Sequence, residues 1–269
     1  GGVFPLNKVL TIAGSDPSGG AGVQADIKTI AAHGMYAMSA LTALTAQNTT
    51  GVYETFDLPP EFVGRQLDCV FSDIRPDAVK IGMVSNADII AAVAGRLRLY
   101  RAENIVLDPV MVSTSGARLL SEDAQYALVE RLLPLSRVVT PNIPEAEVLS
   151  GRPVRDRDGM RRAAQELYAR HGVAVLIKGG HLPDCADDLL YDNGEESWIC
   201  AGRVDNPNTH GTGCTLSSAI ACGLAAGMDL YGSVRSAKDY LSGALRAGLD
   251  LGRGSGPLNH MYRIGTGNA

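Results

Sequence analysis

The sequence predicts an α/β fold, in which a mostly parallel β-sheet lies between layers of helices. Short apolar β-type runs alternate with segments of 3.6-residue periodicity along the 269 residues. Strands separated by helices are joined by right-handed crossovers, which place them parallel in one sheet. Because no linker or low-complexity stretch interrupts this pattern, we expect one domain over residues 1–269, with residues 1–7 as a flexible N-terminal segment.

The first elements surround a Gly-rich loop. Residues 9–13 form the first predicted strand, and residues 14–22 form a loop that opens a helix ending near Gly34. Residues 37–46 form the second strand, whose continuous apolar character is typical of a strand covered on both faces.

The remaining elements repeat this alternation and then change. Further strands are predicted at residues 78–81, 104–107, 137–140 and 173–178, and helices at residues 86–101, 121–133 and 158–170. After Gly180 the pattern predicts an antiparallel hairpin of residues 188–192 and 196–200 around the turn Asn193-Gly194. A Gly/Thr-rich turn leads into a helix from about residue 213, and a last helix is expected over residues 230–251.

Composition excludes several classes of function. The formal net charge of -5 and the absence of a basic stripe argue against nucleic-acid binding. No apolar run approaches the roughly 20 residues of a membrane span, and residues 1–5 do not resemble a secretion signal, so a cytoplasmic protein is expected. The five cysteines include no C-x-x-C pair, and four of them (Cys69, Cys185, Cys200 and Cys222) are expected to be buried in a reducing compartment.

Polar or Gly-rich segments follow nearly every predicted strand. They are residues 14–16, 47–48, 82–83, 108–109, 141–142 and 179–180. Because the carboxyl ends of parallel strands lie at one edge of a sheet, these segments are expected to form one active site.

The turn before the predicted helix at residue 213 has the features of an anion-binding site. Gly211 and Gly213 bracket Thr212, so successive N–H groups and the helix dipole would point at one spot. Such a site suits a phosphoryl group or an oxyanion, and Cys214 at the helix start is expected to have a lowered pKa and to be partly thiolate. A Gly-containing turn with an incidental cysteine is the alternative.

The first Gly-rich loop matches a dinucleotide fingerprint only in part. Residues 20–25 fit the pattern G-x-G-x-x-A, but the second strand ends in Ala46-Gln47-Asn48, without the expected ribose-binding carboxylate. The chain also contains no Gly-Lys pair, so any ATP site is not a P-loop.

Other polar residues at strand ends suit phosphate chemistry. Asp108 and Glu145 offer the hard oxygen ligands that Mg²⁺ prefers, although Asn142 and Glu145 also fit a helix cap, and both interpretations can hold together. Lys178 ends an apolar run and is expected to have a partner. Three histidines (His33, His171 and His260) are expected to be structural or at the surface, whereas His210 borders the anion-binding turn.

Taken together, the segments resemble the hydroxymethylpyrimidine/phosphomethylpyrimidine kinases of thiamine biosynthesis, a branch of the ribokinase-like superfamily. The resemblance runs from Val9 to about His260 and rests on ordered blocks at residues 13–22, 44–49, 80–83, 107–110, 140–145, 178–181, 209–214 and 256–260. It implies a ribokinase-like three-layer sandwich, a homodimer, and the use of ATP and Mg²⁺.

The resemblance also implies roles for individual residues. It places the pyrimidine near Gly14, Asp26, Gln47 and Met83, with the backbone of Val110 closing the pocket. It places the ATP phosphates and Mg²⁺ near Asp108, Thr140, Asn142, Glu145 and Lys178, with the triphosphate reaching Gly211, Thr212, Gly213 and Cys214. The adenine pocket is expected around residues 204–207 and the last helix, and the loops 114–118 and 182–187 are expected to order over the substrate.

Cys214 stands where most sugar kinases of the superfamily have an aspartate base. The cysteine is expected to assist, while the anion-binding turn, Mg²⁺ and Lys178 supply most of the catalysis. Three alternatives stay open: a pyridoxal kinase, a dinucleotide-binding oxidoreductase, and a vitamin-binding regulator without catalysis.

Overall fold

A computed structural model describes residues 6–113, 115–180, 187–200 and 209–264. The strands are β1 (Lys8–Ser15), β2 (Tyr36–Asn48), β3 (Gly51–Asp57), β4 (Ala78–Ile81), β5 (Ile105–Leu107), β6 (Val138–Val139), β7 (Ala174–Ile177), β8 (Asp188–Asp192) and β9 (Glu195–Ile199). The helices are α1 (Gly22–Ala32), α2 (Pro60–Asp73), α3 (Ala87–Leu99), α4 (Glu122–Ala127), α5 (Ile143–Ser150), α6 (Arg157–His171), α7 (Thr212–Ala225) and α8 (Leu230–Ala247).

The strands form one sheet in the order β3-β2-β1-β4-β5-β6-β7-β8-β9. Strands β1, β2 and β4 to β7 are parallel neighbours, whereas β3, β8 and β9 pair antiparallel at the two ends of the sheet. The chain runs outward from β1 to β3 and returns on the other side of β1 with β4. The direction of the chain therefore reverses between the neighbouring strands β1 and β4. Open α/β sheets bind ligands at such a switch point, beyond the carboxyl ends of the strands.

Helices cover both faces of the sheet. One apolar core packs the sheet against α2 to α6, and a second packs it against α1, α7 and α8. The alternation of β1 sends Leu10 and Ile12 to the first core and Val9 to the second. The predicted mostly parallel sheet flanked by helices is therefore confirmed.

The structure corrects several sequence predictions. Strand β3 and helix α2 were not predicted as elements, and α5 was expected only as the helix cap read for Asn142 and Glu145. Helix α8 ends four residues early, at Ala247, before Gly248 with φ 57°. The predicted helix 121–133 divides into α4, a π-helical turn (Leu128–Leu132) and a 3₁₀ turn (Leu133–Leu135), because Pro134 has no N–H to continue the helix.

Two burial predictions were wrong. Strand β2 is not covered on both faces, since Tyr36 and Leu44 are exposed and its second half pairs with the exposed edge strand β3. Cys222 is buried as expected, but Cys69 and Cys200 are exposed. Cys69 lies on the solvent side of α2, whose opposite side buries Val63, Leu67 and Phe71. Cys185 lies outside the described residues.

Within the described part of the chain, no helix is both long and apolar enough to cross a membrane.

Candidate active site

Polar side chains meet at the carboxyl edge of the parallel strands, as predicted. Asp16, Gly82, Asp108, Thr140 and Lys178 each follow directly or almost directly on the last residue of β1, β4, β5, β6 and β7. A parallel bridge joins Asn142 to Lys178 just beyond the ends of β6 and β7. The N-terminus of α7 lies over this edge, because a Cβ atom added to Gly213 would lie 3.4 Å from both Asp108 Oδ2 and Lys178 Nζ.

Lys178 has the partner that its position predicted. Its Nζ lies 3.3 Å from Asp108 Oδ1, and Thr140 donates its hydroxyl to the same oxygen at 3.2 Å. Burial disfavours the charge on Lys178, but the carboxylates of Asp108 and Glu145 outweigh that effect and raise its pKa. Lys178 therefore stays a cation beside the start of α7.

Glu145 has the first of the two roles left open by the sequence, the helix cap, whereas its role as a Mg²⁺ ligand stays a prediction. It closes a capping box with Asn142: Glu145 N–H donates to Asn142 Oδ1, and Asn142 N–H donates to Glu145 Oε2, both at 2.9 Å. Burial raises the pKa of Glu145 to about 7, with Lys178 opposing and Asp108 reinforcing the increase.

The first turn of α7 has the geometry that the glycines predicted. Gly211 is the N-cap with φ 81°, and a Cβ atom at this position would overlap the carbonyl oxygen of Gly20. Thr215 N–H donates to Gly211 O at 2.9 Å, which starts the helical hydrogen bonds. Thr212 N–H donates to Thr209 O at 3.3 Å, so the N–H groups of Gly213 and Cys214 are the ones that this first turn offers to an anion.

The predicted thiolate at Cys214 was wrong. Burial raises the pKa of the Cys214 thiol, and the carboxylates of Asp26 and Asp108 add to the increase, although Lys80 opposes it. The loss of solvent and the two nearby negative charges outweigh the helix dipole that the sequence pattern implied. Cys214 is therefore a thiol at neutral pH.

A buried ion pair that sequence reasoning missed lies beneath α7. Lys80 Nζ contacts both carboxylate oxygens of Asp26, at 2.8 and 2.9 Å, and both side chains have no exposed surface. Thr11 donates its hydroxyl to Asp26 Oδ2 at 2.5 Å, and Ser218 donates to Oδ1 at 2.7 Å. Burial opposes the charge on Lys80, but the carboxylates of Asp26 and Asp108 outweigh it and raise the pKa of Lys80.

This network joins β1, β4, α1 and α7 at the switch point of the sheet. The available sequence signal was a single lysine inside the otherwise apolar strand β4. The expected contact of Asp26 with a pyrimidine stays a prediction. In this structure Asp26 is fully buried, and its oxygens already accept four hydrogen bonds from the protein.

The first Gly-rich loop closes around Asp16 instead of presenting a free anion site. Asp16 Oδ1 accepts hydrogen bonds from the N–H and hydroxyl of Ser18, and Oδ2 accepts from Ala21 N–H and His210 Nε2. Burial alone would raise the pKa of Asp16, but these donors lower it to about 2. The carboxylate occupies the N-terminus of α1, where a dinucleotide phosphate would bind.

The residues expected around the pyrimidine lie near β1, β2 and β4. A Cβ atom at Gly14 would lie 2.9 Å from Met83 Sδ, and Met83 O accepts a hydrogen bond from Thr42 at 2.6 Å. Gln47 Oε1 accepts from the Thr45 hydroxyl at 3.0 Å, and Gln47 lines an open cleft of about 350 Å³ with Ser115 and His210. Val110 N–H donates to Asp108 O at 2.9 Å, so Val110 lies next to a residue that is expected to bind Mg²⁺ and the ATP phosphates.

Several expectations concern residues outside the described part. These are the adenine segment 204–207, Thr114 and residues 182–186. In the ranges that are described, no group of three or more His, Cys, Asp or Glu side chains is arranged to hold a metal ion. Asp108 and Glu145 are two carboxylates, which suits Mg²⁺ that also binds phosphates and water.

Comparison with known proteins gives one family. The family model described as Phosphomethylpyrimidine kinase matches residues 16–259. The hydroxymethylpyrimidine/phosphomethylpyrimidine kinase of Rhizobium meliloti is 50% identical over 258 residues, which cover 94% of this chain and 97% of the relative. A thiamine biosynthesis bifunctional protein of Geobacter sulfurreducens is 50% identical over 96% of this chain, but the chain spans only about half, 53%, of its length.

A solved structure gives the same fold. Bacillus subtilis pyridoxal kinase in complex with ADP superposes with a TM-score of 0.89 at 36% identity, covering 97% of this chain and 99% of that chain. The expected ribokinase-like fold is thus confirmed by the structure, and the resemblance stated from the motifs is confirmed by the sequence relatives. The chain belongs to the phosphomethylpyrimidine kinase family.

Proposed function

We propose that this protein transfers the γ-phosphate of ATP to 4-amino-5-hydroxymethyl-2-methylpyrimidine and then to the resulting monophosphate, in thiamine diphosphate biosynthesis. The observation that carries the proposal is the pair Lys178–Asp108 at the start of α7, where a glycine at 213 leaves room against both side chains. This arrangement combines a cation, a carboxylate and free helix N–H groups at one point. Phosphoryl transfer depends mostly on such positioning and charge stabilisation.

The residues proposed to bind the ATP phosphates (the phosphate-side residues) have different roles. Lys178 and the N–H groups of Gly213 and Cys214 bind and orient the transferring phosphoryl group. Asp108 and Glu145 would hold Mg²⁺, whose charge neutralises the phosphate oxygens. Thr140 orients Asp108 through its hydrogen bond, and the capping box of Asn142 fixes Glu145.

Cys214 positions the acceptor rather than removing its proton. Its raised pKa leaves the thiol protonated at neutral pH, so it is a poor general base. A loose transition state needs little basicity, and a phosphate acceptor needs none. We assign the buried pair Asp26–Lys80 to support of the α7 turn from below, because Ser218 of α7 bonds directly to Asp26.

The acceptor side consists of Gly14, Gln47, Met83 and the backbone of Val110. A Cβ atom at Gly14 would meet Met83 Sδ at 2.9 Å and Ala43 O at 3.7 Å, so only glycine lets Met83 pack this close to the backbone. The Gln47 amide offers a donor and an acceptor to the edge of the pyrimidine. These contacts rest on the family resemblance and on the position of Gln47 in the cleft.

A product assay tests the proposal. Purified protein is given ATP, Mg²⁺ and either the pyrimidine or pyridoxal, and products are separated by chromatography. We expect sequential mono- and diphosphates from the pyrimidine. We also expect a loss of about 100-fold or more in kcat for Lys178→Met, and a smaller loss for Cys214→Ala. No turnover of either ring by the folded protein would refute the kinase assignment.

Pyridoxal phosphorylation is the second candidate, because the chain superposes closely on a pyridoxal kinase. The same assay decides between the two acceptors. Turnover of pyridoxal alone would retain the phosphate-side roles and overturn those of Gln47 and Met83.

The assembly and location also belong to the proposal. We assign the chain a single domain, residues 1–269, which works as a homodimer in the cytoplasm. Leu44 and its cross-strand partner Phe56 are exposed on β2 and β3, and Tyr53 and Phe62 nearby in the chain are exposed as well. Apolar side chains grouped at a sheet edge favour contact with a second copy.

A further inference from the structure

The strongest unassigned feature is a hydrogen-bonded pair between the two Gly-rich loops. His210 Nε2 lies 2.8 Å from Asp16 Oδ2, although the residues are 194 positions apart in the chain. Both side chains are almost fully buried, with 7% and 3% of their surface exposed. Asp16 follows β1 on the acceptor side, and His210 precedes the phosphate-binding turn of α7. The pair therefore connects the two halves of the proposed site.

The hydrogen bond has a defined direction. The other oxygen of Asp16 accepts from Ser18, and Oδ2 also accepts from Ala21 N–H, so Asp16 is surrounded by donors. An ionised carboxylate can only accept, which means that His210 Nε2 carries the hydrogen. This charge-assisted bond is among the stronger kinds of side-chain hydrogen bond.

Close backbone contacts surround the pair. A Cβ atom at Gly20 would overlap the ring of His210, and one at Gly211 would overlap the carbonyl of Gly20. The Gly-rich loop thus lies directly against residues 210–211. His210 N–H also donates to Gly256 O at 3.3 Å, and His210 bridges Pro257, so the C-terminal segment holds the opposite side.

We propose that His210 and Asp16 are a positioning pair that fixes the first turn of α7 relative to the acceptor-side loop, so that the acceptor oxygen and the phosphoryl group are aligned for transfer. His210 acts through this bond and not by contact with the reacting atoms. The inference rests on the proposed kinase function, since alignment matters only if a group is transferred between the two sides.

Two variants of similar polarity separate this hydrogen bond from general packing. His210→Gln can place its amide N–H where Nε2 lies, whereas His210→Asn is too short to reach Asp16. We expect His210→Asn to lower kcat about 10- to 100-fold, because a misplacement of about 1 Å has effects of that size. We expect KM for ATP to change less than about threefold, and His210→Gln to retain most of kcat.

A second readout does not need kinase activity. Cys214 lies in the turn that the pair holds, and its alkylation by iodoacetamide can be followed by peptide mass spectrometry. We expect the alkylation rate of Cys214 to rise several-fold in His210→Asn and to stay near wild type in His210→Gln. His33→Gln is the matched control, because His33 lies at the end of α1 on the opposite edge of the sheet, where its ring contacts Thr29 O and Tyr240.

The outcomes distinguish this inference from the kinase proposal. If wild-type protein phosphorylates no acceptor, the kinase proposal fails, and the alkylation rates still test whether the pair holds the turn. Equal kcat and equal alkylation for the Asn and Gln variants would overturn the positioning role. A rise in KM with unchanged kcat would overturn it as well, because it would assign His210 to ligand binding.

Discussion

At the scale of single residues, the chemistry of the site depends on charges that are buried with partners. Asp26 and Lys80 have no exposed surface and neutralise each other beneath α7. Removing one partner of such a pair leaves the other charge buried without compensation, which is far more damaging than losing an exposed pair. Replacing either Asp26 or Lys80 should therefore lower the free energy of unfolding more than replacing a residue of an exposed pair.

Asp26→Asn is expected to lower the free energy of unfolding by about 3–5 kcal/mol, because the variant leaves the Lys80 charge buried without a carboxylate partner. Urea unfolding at neutral pH measures this loss. The control is Asp192→Asn, which breaks the partly exposed pair with Arg137 and should change stability by about 0–1 kcal/mol. Equal losses in the two variants would show that the buried pair has no special role.

His260 gives stability a dependence on pH. Burial lowers its pKa to about 4, the nearby Lys28 charge adds to the decrease, and the ring bonds to the Thr215 hydroxyl at 2.9 Å. The unfolded histidine binds a proton near its ordinary pKa of 6.5, so the unfolded state binds more protons between pH 6.5 and 4. Stability therefore falls as the pH is lowered through this window.

His260→Gln should remove up to about 3 kcal/mol of this fall, since each pKa unit corresponds to about 1.4 kcal/mol. Urea unfolding at pH 6.5, 5.5 and 4.5 provides the measurement. His171→Gln is the control, because His171 is only partly buried, at the end of α6. A pH dependence that matches wild type in the His260 variant would contradict the assignment.

At the scale of elements, α7 is the part on which the site depends most. Its N-cap Gly211 has a left-handed backbone and lies against Gly20, and its Ser218 reaches the buried ion pair. At the other end of the helix, Gly227 has nearly the same φ, 80°, but no atom within 4 Å of an added Cβ. An alanine at Gly227 would introduce backbone strain alone, whereas an alanine at Gly211 would introduce the same strain and also a steric overlap.

Gly227→Ala should destabilise the protein by about 1–2 kcal/mol, which is the cost of a left-handed backbone with a side chain. Gly211→Ala should cost more and should also lower kcat at least about 10-fold, because the turn must move away from Gly20. Urea unfolding and steady-state kinetics give both values. If Gly211→Ala behaves like Gly227→Ala in both measurements, the close approach of the two loops is not required.

At the scale of the whole molecule, the antiparallel strand β3 leaves one end of the sheet with exposed apolar side chains. Leu44 and Phe56 pair across β2 and β3, and Tyr53 is 68% exposed on the same strand as Phe56. An exposed edge of this kind is usually covered in solution. We expect the homodimer to form at this edge of the sheet, around Leu44 and Phe56.

Phe56→Ser is expected to shift the protein from dimer to monomer in light scattering at micromolar concentration, because it removes a large exposed apolar side chain at this edge of the sheet. Leu99→Ser is the control, since Leu99 is similarly exposed, 67%, at the end of α3. A wild-type monomer, or an unchanged dimer in Phe56→Ser, would contradict the location of the interface.

Much of this protein was determined by local sequence. The alternation of apolar runs and periodic segments was enough for the parallel sheet, because strand and helix periods differ and βαβ crossovers have one hand. The polar segments after the strands predicted the polar carboxyl edge of the sheet. Asn142 was predicted as a helix N-cap, and the structure adds the return hydrogen bond of Glu145 that completes a capping box. The missed elements are β3 and α2. Strand β3 has no fully buried residue and α2 buries only one side, so neither contains a long apolar run.

Only the tertiary structure decided the charges and the partners. Lys80 is one lysine in a short strand, and nothing local indicates that Asp26, 54 positions away, neutralises it. Cys214 occupies a helix start, which predicts a thiolate, yet burial and two carboxylates raise its pKa. His210 and Asp16 meet across 194 positions. Periodicity reports which side of an element is buried, but the state of a buried ionisable group depends on which other charges the fold brings next to it.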